Sequence, residues 1–69
     1  MVKVYKTDVV ESSQAAQVKD ELLREFPGST ISFDLEDCDN VLRIEGNAIN
    51  GDKVRSLVSS QGFSCKVLP

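Results

Sequence analysis

Sixty-nine residues allow one small domain, spanning 1–69, and no second core. A chain this short buries only about 60% of the surface its unfolded form exposes, which leaves little stability for a deep catalytic cavity. Eight basic residues against eleven acidic ones give a net charge of −3, and the aromatics Tyr5, Phe26, Phe33 and Phe63 are scattered, so the basic face and stacked aromatics of a nucleic-acid binder are missing.

No apolar run approaches the roughly 20 residues of a bilayer span. The opening MVKVYKTDVV holds no hydrophobic signal core followed by a small-residue cleavage site. The expectation is a cytoplasmic protein with neither membrane nor nucleic acid as partner. Cys38 and Cys65 fit the same compartment, since a secreted domain of this size usually carries four or six cysteines. Both are expected as free thiols.

In chain order, Val2, Lys3, Val4, Tyr5 and Lys6 alternate, apolar inward and polar or amphipathic outward, which predicts a half-buried strand. Ser12 or Ser13 is the expected N-cap of a first helix. Ala15, Val18, Leu22 and Phe26 recur at three- and four-residue steps and so share its buried face. Pro27-Gly28 ends it. Ile31, Phe33 and Leu35 alternate with polar residues in a second strand, and Leu42 and Ile44 do so in a third. Between them, Asp37-Cys38-Asp39-Asn40 has the chemistry of a hairpin turn. Gly46-Asn47 closes that hairpin. Asn50 caps a second helix whose stripe is Val54, Leu57 and Val58 beside Ile49, Gly62 ends it, and Phe63, Cys65 and Val67 alternate into a last strand.

This order, β-α-β-β-α-β with right-handed crossovers, predicts an α+β ferredoxin-like fold. Four antiparallel strands form one sheet and both helices cover one face. Fold class alone says little about activity.

From Val18 to Leu68 the pattern resembles heavy-metal-associated domains, the small modules of copper chaperones and metal-transporting ATPases. The matching residues are Val18 and Leu22 before Pro27-Gly28, then Ile31, Phe33, Asp34 and Leu35, and later Gly62-Phe63. The resemblance implies the same fold. It also implies where that family keeps its chemistry, a Met-x-Cys-x-x-Cys motif at the first βα junction, where two thiolates suit the soft ion Cu(I). Counting back from Val18 puts Val9 at the methionine and Glu11 and Gln14 at the cysteines. Counting back from Phe26 puts Val10, Ser12 and Ala15 there. Neither register supplies a soft ligand, so the motif is degenerate.

Other candidates are few. Cys65 is in phase with Phe63 and Val67, as a small core residue would be. Cys38 sits in an acidic turn expected at the same end of the sheet as Thr7–Ala16. The opposite sheet edges that carry the two cysteines are three strand spacings of roughly 4.8 Å apart, beyond disulfide reach. Cys38, Asp37, Asp39 and Glu11 are the residues that could ligate a metal outside the family pattern. A calcium loop is not among the options, because its ligand spacing is absent. With no histidine, and no serine or cysteine beside an evident base, no catalytic residue is assigned and no cofactor is implied.

The expected function is thus a non-enzymatic, heavy-metal-associated-like module acting by protein–protein contact as an adaptor. Its protein partner is unknown, and it is expected as a monomer or weak dimer. The alternative is a metal-binding or metal-trafficking protein that uses non-family ligands around Cys38.

Overall fold

Two sequence periods, 2 for strands and 3.6 for helices, become two layers in the computed structural model, which describes residues 1–68. The elements are β1 (Val2–Thr7), α1 (Ser12–Glu25), β2 (Thr30–Asp34), β3 (Val41–Glu45), α2 (Gly51–Ser60) and β4 (Cys65–Val67). The strands form one sheet in the order β2-β3-β1-β4, with every neighbouring pair antiparallel. This is the ferredoxin-like arrangement expected from the sequence.

Register follows from which residues bury. Tyr5 lies opposite Leu42, Lys3 opposite Ile44, Ile31 opposite Ile44 and Phe33 opposite Leu42. Residues directly opposite share a face, so these pairs line the helix-covered side of the sheet. Val18 and Leu22 of α1, Val54 and Val58 of α2, and Ile49 meet them there in one apolar cluster.

The phase of β1 is the reverse of the expected one. Tyr5 and Thr7 are buried, whereas Val2 is exposed. Val4 lies opposite Arg43 and Val2 opposite Glu45, on the face away from the helices. Val4 and Tyr5 are adjacent, so only one can face the core. The aromatic ring offers far more apolar surface than the valine. With a side-chain period of 2, that single choice turns every residue of the strand over.

The helix ends follow from capping chemistry. Asn50 caps α2 as expected, its Oδ1 accepting from the Asp52 and Lys53 amides at 3.0 and 3.2 Å. Helix α1 stops where the Phe26 amide donates to the Leu22 carbonyl at 2.8 Å, just before Pro27 and Gly28. Gly28 has φ +86°, open to glycine without strain.

The last strand is shorter than the alternation implies. Phe63 precedes it, and Val67 is 61% exposed although it faces Tyr5 across the ladder. At that sheet edge a cleft, not a helix, stands over Val67. Among the described residues no helix is long and apolar enough to cross a membrane.

Candidate functional site

Thr7 ends β1 and ties two loops together. Its amide donates to the Asp39 carbonyl at 3.2 Å, its hydroxyl donates to the Asn40 carbonyl at 2.6 Å, and Oγ1 accepts from the Val9 amide at 3.3 Å. These bonds satisfy the hydroxyl of a buried residue. The turn carrying Asp37, Cys38 and Asp39 therefore sits beside the β1–α1 junction, as the topology predicts.

At the junction, Val9 is fully buried and Val10 is 65% exposed. Valine 9 is the apolar anchor of the loop. Glu11, with φ −107° and ψ 144°, is the N-cap of α1, in place of the expected Ser12 or Ser13, which lie inside the first turn. Serine is the stronger cap in general. Here Gln14, three residues after Glu11, decides the boundary. Its Oε1 accepts from the Glu11 amide at 3.2 Å and the Val10 amide at 3.4 Å. That is the return half of a capping box. The Glu11 carbonyl accepts from the Ala15 amide at 3.0 Å and continues the helix. The Val10 and Glu11 amides are thus bonded to the chain itself. Ala15 is 8% exposed and turned to the core, so a ligand at position 15 would point away from the loop.

In the neighbouring turn, ligand atoms of Asp37, Cys38 and Asp39 lie within 4.8 Å of one another, and Glu11 lies outside that group. Cys38 is exposed. The two carboxylates already have work within the turn. Asp37 Oδ1 accepts from the Asp39 amide at 2.9 Å, and Asp39 Oδ1 stands 3.5 Å from Lys6 Nζ. Asp34 Oδ1 accepts from the Glu36 and Asp37 amides at 3.2 and 3.3 Å, and Asn40 adopts φ +46°. Such bonds are what shape an Asx-rich turn. One soft and two hard donors converge here, on a surface where Lys6 competes for one of them.

Cys65 is the other thiol, opposite Thr7 in the β1–β4 ladder and packed against the core. Asp39 flanks Thr7 on the side opposite Cys65 and leads into β3, an interior strand, so the end of the turn lies two strand spacings, roughly 10 Å, from Cys65. That is closer than the three spacings expected, yet still beyond disulfide reach, and both cysteines are free. Burial pushes the Cys65 thiol up to about 11 from an ordinary 9.0, with the Arg55 charge opposing.

A stability test follows from that shift. A folded thiol that holds its proton more tightly than an unfolded one contributes stability fully below about pH 9, and the contribution fades as pH rises toward 11. The stability gap between wild type and Cys65→Ala, read from urea melts, is expected to narrow across that window. A gap that stays constant from pH 9 to 11 would show the thiol to be no more buried than in the unfolded chain.

One polar group carries no signal in the sequence. The Tyr5 hydroxyl is buried and has no hydrogen-bond partner among the described residues. Nothing local in VKVYK marks it, because its surroundings come from α2, more than forty residues away.

No protein-family model and no curated protein matches the sequence. Two solved structures share its shape. A gold-binding protein superposes with a TM-score of 0.83 at 15% identity, over 96% of this chain and 98% of its own. A copper-transporter domain from yeast, solved in apo and Cu(I)-loaded states, superposes with a TM-score of 0.78 at 18% identity, over 99% of this chain and 94% of its own. At these identities what is shared is the fold: the chain has the ferredoxin-like fold of heavy-metal-associated domains.

Proposed function

We propose that residues 1–69 form a non-enzymatic module of heavy-metal-associated type that acts in the cytoplasm by contact with a protein partner, as a monomer or weak dimer. The observation that carries this reading is the β1–α1 junction, with Val9 buried under it and Gln14 bonded back to the Glu11 amide. In the register that burial favours, these three residues stand where the family resemblance expects a methionine and two cysteines. Cu(I) is held by thiolates and thioethers. A carboxylate, a carboxamide and a valine do not fit it, so no step of copper transfer is assigned to this junction. Isothermal titration under reducing conditions is expected to show no tight 1:1 uptake of Cu(I) or Zn(II), and tight uptake would overturn the proposal.

A second reading is supported by the convergence of Asp37, Cys38 and Asp39 and by the metal-binding character of the two proteins that share the fold. It makes the chain a metal-binding or metal-trafficking protein whose thiolate is Cys38. Under it, Cys38→Ser abolishes whatever metal affinity the wild type has. An unchanged affinity in that variant rejects it.

A further inference from the structure

At the end of β1 away from Thr7, a cleft of about 630 Å³ opens between that strand, the start of α2 and the end of β4. Its size suits a small ligand. The unpartnered Tyr5 hydroxyl points under the first turn of α2, where a Cβ on Gly51 would stand 3.1 Å from Oη. Glycine at position 51 puts no side chain against the hydroxyl, which solvent does not reach in the free protein. Arg55 lines the same cleft as Tyr5 and Gly51. The Lys3 methylenes come within 3.7 Å of the same Gly51 position, and Lys3 has no carboxylate partner among the described residues.

These groups are all donors. Asn50 caps the Asp52 and Lys53 amides, and Gly51, as the first helical residue, carries one of the amides that no helix satisfies internally. Burial raises the Tyr5 hydroxyl further above its ordinary range, so it keeps its proton at neutral pH. A buried donor with no acceptor destabilises the free protein, and an acceptor that binds there removes the penalty. Asp52 is the one acid in the lining, and its Oδ1 takes Arg55 Nη2 at 2.7 Å. Two cations against one acid favour a single negative charge over a phosphate dianion. Val67 and Leu68 add an apolar wall on the β4 side.

We propose that this cleft binds a carboxylate carried on a short apolar chain. Its oxygens accept from Tyr5 Oη and the Arg55 guanidinium while the hydrocarbon lies over Val67 and Leu68. The Arg55 side chain, 51% exposed, swings to admit it and closes over it. The site is independent of both metal readings, since it lies at the opposite end of β1 from Thr7 and uses none of the junction residues.

Valerate is the probe, titrated into the intact chain by calorimetry and by amide chemical shifts, with valeramide as the neutral control. Wild type is expected to bind valerate at about millimolar strength, in line with the few atoms it buries, and to ignore valeramide. Tyr5→Phe is expected to weaken binding at least about tenfold, the usual loss for a hydrogen bond to a charged group, while melting at a higher temperature without ligand. Arg55→Gln, on the exposed face, weakens binding without touching the core and carries the test if Tyr5→Phe fails to fold. Asp52→Asn tightens it by removing the repelling charge, which a merely structural role would not produce. A tripeptide Ala-Val-Val with a free C-terminus, compared with its amide, identifies the source. Tighter binding than valerate assigns the site to peptide C-termini, and no tighter binding assigns it to small acids. Equal binding of valerate and valeramide, wild-type affinity in Tyr5→Phe, or no valerate binding at tens of millimolar each overturns the proposal.

Discussion

The double variant Glu11→Cys/Gln14→Cys is expected to take up one Cu(I) at least about a thousandfold more tightly than the wild type. Residue 11 is the exposed N-cap and residue 14 lies in the first turn, so side chains three apart stand on one face of α1. Thiols at a helix N-terminus lose their protons readily, and two thiolates are what Cu(I) requires. Val9 already supplies the buried apolar support beneath them. The substitution removes the Gln14 return bond and is expected to cost about 1 kcal/mol of stability. Ser12→Cys/Ala15→Cys is the control, because Ala15 faces the core. Competition against a Cu(I) chelator under reducing conditions reads both variants. If the control bound copper as tightly as the first pair, the register at this junction would be one residue out.

Leu22→Ala is expected to destabilise the fold by about 3 kcal/mol, the middle of the range for a leucine removed from a closed core. Leu22 is fully buried in α1 and belongs to the cluster that joins both helices to Leu42 and Ile44. A chain of this length has in all roughly 3–10 kcal/mol of stability. The single truncation therefore consumes a large share, and part of the population is expected to unfold at ambient temperature. Urea melts measure it as a lower midpoint with an unchanged slope. Val10→Ala, five residues before the same helix stripe but on the surface, is expected to stay within about 0.5 kcal/mol of wild type. Equal losses in the two variants would mean that Leu22 is not in the core.

What the sequence discloses and what it hides can be traced to particular residues. Ala15, Val18 and Leu22 repeat at helical spacing within the fourteen-residue helix α1, and such a stripe has only one face to bury. Ile44 stands between Arg43 and Glu45, and Leu42, two residues before it, shares its phase. Strand β1 is different, since Val4 and Tyr5 both could face inward and the outcome depends on the volume left by α1 and α2. The N-terminus of α1 shows the same limit. Ser12 has the better capping side chain, but Gln14 pairs with the residue before it. Residue types at the junction were legible as types: residues 7–16 include no cysteine, methionine or histidine. The convergence of Asp37, Cys38 and Asp39 was legible as a turn, while the bonds from Thr7 that tie it to β1 join residues more than thirty apart. The Tyr5 hydroxyl under Gly51 is a long-range coincidence of the same kind, with no local signature.

The strand order also sets how little of the chain can be cut away. Strand β1, the first made, sits in the interior of the sheet with β3 on one side and β4 on the other, while β2 touches only β3. The first forty residues thus hold two strands that never bond to each other, and no ladder exists until residue 41 is present. Every ladder of the sheet then depends on β3 or on residues 65–67. Neither βαβ half forms a ladder by itself, so neither is expected to fold alone, and a graft of this module has to carry both halves.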